Sequence, residues 1–298
     1  PLAPGSVRCL YAAGRLYQLP LGVLAASIAT AVFPLLGRYA ARNDLPGLRD
    51  TLNRALRMGA FVALPAGVGL ILLAEPILAL IFERGEFGPA DTARAALLLQ
   101  LYAAGMCAYF WNQVLLRAFF CRQDARTQMV LALLLAGVNV ALVLGLVWTP
   151  LKVGAIALAT AATQTANALV LIAVLRRRWG RLGGRRVLGS LGRTALATAA
   201  MSGAVLAVLH MLPGQLAAVG PTLRRWAVRY GLPEALIAAG PALGRLAVVL
   251  SGVIVGAGAF LLAARLLRMG ELGELLGARR RARSRANDEN PKDANPEN

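Results

Sequence analysis

Seven stretches of this 298-residue chain are each long and apolar enough to cross a bilayer, and that repeating pattern constrains the fold more than any other feature. They run roughly 16–37, 56–82, 92–116, 128–148, 153–175, 194–212 and 244–264. About 20 mainly apolar residues in a helix suffice to span the hydrocarbon core. Inside it no water satisfies backbone N–H and C=O groups, and a helix satisfies them internally. The expected fold is therefore an all-α polytopic membrane protein with about seven transmembrane helices. With 58% hydrophobic and only 15% charged residues, the chain is far more apolar than a soluble domain. The second stretch is preceded by "NDLPGLRDTLNRALR" (43–57), an amphipathic lead-in expected at the interface.

The formal net charge is +18, a value that raises the question of nucleic acid. Its placement argues otherwise. Of the 32 Lys and Arg, 23 lie in alternate gaps: Arg38 to Arg57, Arg117 to Arg126, Arg176 to Arg193, and from Arg265 onward. The positive-inside rule makes those gaps cytoplasmic, with the N-terminus outside and the C-terminus inside. The run "RRRWGRLGGRR" (176–186) reads as a solvated cytoplasmic loop ahead of a lipid-headgroup patch. Residues 213–243, rich in Pro and Gly, read as an extracytoplasmic insertion in which "TLRRWAVRYG" forms a short interfacial helix. The polar tail, 269–298, is expected to be disordered. "GVIVG" (252–256) offers a small-residue packing face. The start, "PLAPGSVRC", has neither an initiator Met nor a signal-peptide pattern and reads as the interior of a longer protein.

Three cysteines without a CxxC motif and a single His supply no metal site, cofactor site or catalytic triad. Polar groups within the spans are the functional candidates, because they are costly there unless paired or solvated. They are Arg15, Tyr17 and Gln18 at the head of the first span, Asn112 and Gln113 in the third, Asn139 in the fourth, and Gln164 and Asn167 in the fifth. Amides more often join helices than bind ligands. Glu75, beside Pro76, fits a cap at a break in the second helix. Arg15 has two readings from position alone: a snorkelling anchor at the outer interface, or a forked cation that clamps a phosphate. Pro20 lacks an N–H and suggests a broken or bent helix start, which would place Arg15, Tyr17 and Gln18 on a watery cavity.

The stretch "GRLYQLPLGVLAASIATAVFPLLGR" (14–38) closely resembles the pattern of the MurJ (MviN) family, the lipid II flippases of bacterial peptidoglycan synthesis. "LPAGVGLILLAEPILALIFERGEFGPAD" (64–91) resembles that family's Pro-Gly helix ending in Phe-x-Arg-Gly-x-Phe, here with Pro65, Pro76, Arg84, Gly85 and Phe87. "AFFCRQDARTQ" (118–128), with Arg122 and Asp124, resembles its Phe-Tyr-x-Arg-x-Asp-x-x-Thr-Pro loop. The resemblance covers about 10 to 212 well. The chain departs from it at Gly14, where Asp or Asn is usual, at Gln113 for a frequent Lys, and at Arg117 and Gln128 for frequent prolines.

The resemblance implies the multidrug/oligosaccharidyl-lipid/polysaccharide (MOP) exporter fold, of which this chain would be helices eight to fourteen. It implies a partial C-terminal lobe of five helices (1–178), two further helices (179–268) and the tail. It implies no enzyme activity but translocation of lipid II, an undecaprenyl-diphosphate-linked disaccharide pentapeptide, across the bacterial inner membrane by alternating access. Arg15 would contact the diphosphate in the cavity, with Tyr17, Gln18, Asn112 and Gln113 as further substrate contacts and Pro20 as part of the motif. The partners implied are lipid II and membrane lipids, and a separately encoded N-terminal half is a further candidate partner. Two alternatives stay open: a flippase of another lipid-linked oligosaccharide, and a truncated membrane protein that transports nothing.

Overall fold

The computed structural model describes residues 5–149, 152–180, 183–229 and 240–274, with side chains for all of these except 24–31, 125, 213–229 and 240–241. Among the described residues all regular structure is helical. The helices are α1 (Ser6–Ala41), α2 (Leu45–Leu72), α3 (Ala74–Phe82), α4 (Pro89–Ala104), α5 (Met106–Cys121), α6 (Ala125–Leu146), α7 (Gly154–Trp179), α8 (Gly184–Arg229) and α9 (Gly240–Leu266). Five of them, α2, α6, α7, α8 and α9, are long and apolar enough to cross a membrane. A sixth span results if α4 and α5, bent by 43°, count as one. The first expected span lies in α1, whose 36 residues reach about 54 Å. Part of that stretch, 24–31, falls among the undescribed side chains.

Several boundaries differ from the sequence reading. Helix α1 is unbroken across Pro20, so the break expected there is absent. The lead-in at 43–57 is the first half of α2 itself. The second span does break, at Leu73, and Glu75 lies in the first turn of α3. Pro76 has no N–H to return to the Leu72 carbonyl, which ends the ladder at that point. The expected 194–212 helix starts at Gly184 and its backbone stays helical to Arg229. The first part of the 213–243 insertion is thus helical, and 230–239 lies outside the described residues.

The expected disordered tail at 269–298 begins too early. Residues 270–274 are helical, and Met269 and Glu271 are buried. Glu271 accepts a hydrogen bond from Ser190 Oγ at 2.8 Å and pairs with Arg57 at 3.4 Å. Glu274 faces Arg54 at 3.6 Å. Polar composition argued for disorder, but these polar residues meet partners on α2 and α8. Residues 275–298 lie outside the described set.

Helices α1, α2, α4, α5 and α7 pack as one bundle, with α6 laid against α7. Two clusters hold it. One gathers Leu36, Leu52, Phe110, Phe119, Leu171 and Trp179 near the arginine-rich corners. The other gathers Cys9, Leu16, Tyr17, Leu78, Leu99 and Met106 toward the opposite end. A third cluster fastens the α8–α9 pair to α2 and α3 through Phe61, Leu73, Met201, Val205 and Phe260. The packing face expected at "GVIVG" is present: a Cβ at Gly252 would meet Leu73 at 2.9 Å, and one at Gly256 would meet Val205 at 2.8 Å. Between helices already in lipid, such close approach supplies the attraction that burial supplies in water. Helix α6 has no buried residue along its apolar window, as expected of a helix bathed in lipid.

Two corners repeat one chemistry. After α1 come Arg42, Asn43 and Asp44; after α5 come Arg122, Gln123 and Asp124. The middle residue of each takes a left-handed φ, 51° and 55°, and the aspartate then caps the next helix. The bonds Asp44 N to Tyr39 O and Asp124 N to Phe119 O complete Schellman motifs. The corners touch, since Arg122 Nη1 donates to Asn43 Oδ1 at 3.0 Å. Asp124 also pairs with Arg178 at the end of α7. Desolvation opposes ionisation of Asp124, but hydrogen bonds from the Thr127 side chain and backbone and the Arg178 charge outweigh it, so its carboxyl titrates below the ordinary value. A lowered native pKa stabilises the fold above the unfolded value of 3.8, and that contribution is lost as pH falls below it. Asp124→Ala is expected to cost about 1–2 kcal/mol through the lost cap. Thermal unfolding in detergent at neutral pH and at pH 3 checks this, and the gap between parent and variant should narrow at pH 3.

Candidate functional site

A cavity of about 610 Å³ lies among α1, α4, α5 and α7. That volume is within the range of small-ligand sites. Helix α5 contributes Tyr109, Gln113 and Arg117, spaced four apart and therefore stacked along one face. Helix α1 contributes Gly14, Tyr17, Gln18, Leu21 and Gly22, α4 contributes Tyr102, and α7 contributes Thr160. A Cβ built on Gly14 or Gly22 would meet nothing within 4 Å, as befits residues bordering open space.

Three tyrosines form one wall. Tyr17 stacks on Tyr102 with ring centroids 5.4 Å apart and meets Tyr109 edge-on at 6.2 Å. Among the described residues none of the three hydroxyls has a hydrogen-bond partner. Arg117 is the cation of the lining. It is half-buried, its guanidinium carbon lies 5.8 Å from the Phe33 ring centroid, and no carboxylate among the described residues pairs with it.

Of the residues expected from sequence, the structure brings Tyr17, Gln18 and Gln113 together in this lining. Arg15 lies outside it. Its side chain is exposed, its Nε donates to the Tyr11 hydroxyl at 2.9 Å, and its guanidinium lies 5.0 Å from the Tyr11 ring centroid. Arg15 does share the α1 stripe of Tyr11, Gln18 and Gly22, of which Gln18 and Gly22 line the cavity. Asn112 faces away from the cavity. It is buried, and its Nδ2 donates to Gln164 O at 2.9 Å and Gln164 Oε1 at 2.6 Å, joining α5 to α7. Asn139 likewise joins α6 to α7 through Thr163 Oγ1 at 3.0 Å. The amides that serve as glue thus separate from those that line space.

None of the motif residues is in the cavity lining. Pro20 and Pro65 lie inside helices α1 and α2, and Pro76 opens α3. Gly85 takes φ 59° in the loop after α3, where Phe87 N–H donates to the Arg84 carbonyl and Phe87 packs on Phe82 at 6.2 Å. Arg122 and Asp124 occupy the corner described above. The reading of the sequence missed Tyr102, Tyr109, Thr160 and Arg117. The four-residue spacing of Tyr109, Gln113 and Arg117 was the available signal.

The two cations rest on different aromatic rings of α1. Tyr11, beside Arg15, and Phe33, beside Arg117, stand 22 residues apart on α1, about 33 Å of helix. That length matches the hydrocarbon thickness of a bilayer, about 30 Å. Arg117 shares its end with the basic corners at Arg42 and Arg122.

Comparison with known proteins places these features among relatives. The model of a family described as lipid II flippase MurJ matches residues 1–223. A probable lipid II flippase MurJ of Rhizobium meliloti (strain 1021) is 35% identical over 223 residues, covering 74% of this chain and 41% of the relative. A probable lipid II flippase MurJ of Vibrio cholerae serotype O1 is 32% identical over 205 residues, covering 69% of this chain and 39% of the relative. A solved structure of lipid II flippase MurJ in an inward closed conformation superposes with a TM-score of 0.62 at 22% identity, covering 88% of this chain and 48% of that one. That likeness concerns the fold. The chain spans about two fifths of the length of these two relatives and about half of the solved chain.

Proposed function

Because the chain belongs to the MurJ family of lipid II flippases, we propose that it serves translocation of lipid II, with the cavity receiving the headgroup while the undecaprenyl tail stays in lipid. One observation carries this reading: a cavity with a polar wall is lined by Arg117, which pairs with no carboxylate among the described residues, and a second arginine, Arg15, stands on the α1 stripe that also carries the lining residues Gln18 and Gly22. An anion crossing a membrane needs such stations, since a charge without a partner is expensive there.

The basic gaps set the Arg117 end in the cytoplasm and the Arg15 end outside, with the N-terminus external and the C-terminus internal. The diphosphate enters at Arg117, whose planar fork binds phosphate oxygens in pairs. It leaves at Arg15, once that guanidinium releases Tyr11. An inside-negative potential favours this direction by about 2.3 kcal/mol per charge per 100 mV. Residues 1–178 act as part of one lobe and 179–268 as the appended pair. The exposed α1 stripe of Tyr11, Arg15 and Gln18 faces a second lobe, and alternating access follows from the two lobes rocking against each other. That lobe corresponds to the part of the relatives that this chain does not match, present in the same polypeptide or encoded separately.

Complementation tests the reading. Bacteria depleted of their own lipid II flippase receive this chain alone, the chain joined to the N-terminal part of the Rhizobium meliloti relative, or that fusion carrying Arg15→Ala. The fusion should restore growth, and Arg15→Ala should abolish the rescue. A fusion that inserts stably without rescuing would favour the non-transporting alternative. Full rescue by the Arg15→Ala fusion would remove Arg15 from the path, and rescue by the chain alone would remove the need for a second lobe.

A further inference from the structure

We propose that the tyrosine wall of the cavity is a glycan subsite, which seats an N-acetylated sugar of the lipid-linked headgroup while Arg117 holds the diphosphate; this rests on the lipid II reading above. The lining separates two chemistries along α5. Arg117 supplies positive charge at one end, and Gln113 and Tyr109 follow at four-residue steps, about 6 Å and 12 Å along the helix. Beyond Arg117 the described lining contains no charged group.

A diphosphate calls for cations, an ionised peptide for charges of both signs, and an alkyl tail for an unbroken apolar surface. The wall offers none of these. It offers aromatic rings, two neutral amides and three hydroxyls without partners among the described residues. A pyranose ring has the matching character. Its C–H bonds on one face carry the partial positive charge that the negative face of an aromatic ring attracts. Its hydroxyl and acetamido groups are neutral and both donate and accept, as tyrosine hydroxyls and glutamine amides do. The sugar attached to a diphosphate at Arg117 would reach Gln113 and then the tyrosines, in the order that α5 presents them.

The subsite is tested with two lipids that differ by one sugar, undecaprenyl diphosphate and undecaprenyl-diphosphate N-acetylglucosamine. Dissociation constants are measured on the full chain in lipid nanodiscs. The parent chain should bind the glycosylated lipid about tenfold more tightly, the scale of one good aromatic contact. Tyr102→Leu should remove most of that advantage and leave the constant for undecaprenyl diphosphate within about twofold, which also reports an intact fold. Tyr102→Phe, which keeps the ring and drops the hydroxyl, should fall between. Tyr102 is the position of choice because Tyr17 is buried in the core. Equal affinity of the parent for both lipids overturns the subsite and leaves the flippase reading standing, as does an equal loss for both in Tyr102→Leu. Failure of the parent to bind either lipid overturns the cavity reading itself, and the subsite with it.

Discussion

Arg117→Gln is expected to weaken binding of undecaprenyl diphosphate and of its glycosylated form alike, by about ten- to a hundredfold, the range of one charge-assisted pair. The loss should be uniform because the residue contacts the group that both lipids share. This contrasts with Tyr102→Leu, which should discriminate between them. Arg117→Lys keeps the charge and drops the planar fork, so it should recover part of the affinity and no more. The fold should tolerate either change. Arg117 is half-buried, its guanidinium lies against the Phe33 ring, and no carboxylate among the described residues would be stranded by its removal. In the complementing fusion, Arg117→Gln should abolish growth. Unchanged affinity for both lipids in Arg117→Gln would assign the diphosphate to another group.

The second large effect is expected at Gly105, where the α4–α5 span bends. A Cβ there would sit 2.8 Å from Ala161 Cα and 2.9 Å from Ala161 Cβ, both on α7. Backbone cannot move aside as a side-chain tip can. Gly105→Ala should therefore destabilise the bundle by about 1–3 kcal/mol, and Gly105→Val by more. The neighbours give the strain a functional consequence. Thr160, next to Ala161, lines the cavity, and Gln164, one turn further, holds Asn112. Pushing α7 away from α5 should therefore lower both the unfolding temperature in detergent and the affinity for undecaprenyl diphosphate. Gly14→Ala provides the contrast. It borders the cavity with nothing within 4 Å and should change stability by less than about 1 kcal/mol. A Gly105→Ala variant as stable as the parent would mean that the helices separate at no cost.

How much of the site was legible follows from which physics each residue obeys. Tyr17, Gln18 and Gln113 could be found because polar groups within apolar stretches stand out against their surroundings. The same criterion selected Asn112, one residue from Gln113, yet Asn112 turns to α7 and binds Gln164. Adjacent positions on a helix are about 100° apart, so one step decides between a cavity and an interface. Tyr102 and Tyr109 escaped notice because a tyrosine in an apolar stretch reads as ordinary packing. Arg117 escaped because it stands where a span meets a basic gap, and position alone makes such an arginine part of the positive-inside pattern.

The sequence by itself determined the class of fold, since apolar runs of bilayer length allow little but helices, and it determined the corners, where Arg-Asn-Asp and Arg-Gln-Asp carry their own capping chemistry. The motifs also carried the family. Only the tertiary structure decided which faces of α1, α4, α5 and α7 enclose a space, and so moved the lining cation from Arg15 to Arg117. It also turned 269–274 from tail into a docked segment through Glu271, Arg57 and Ser190. The reason is one of range. Span length and caps are set by residues a few positions apart, whereas a cavity and a buried carboxylate depend on partners many turns away, whose meeting is settled by how the helices pack.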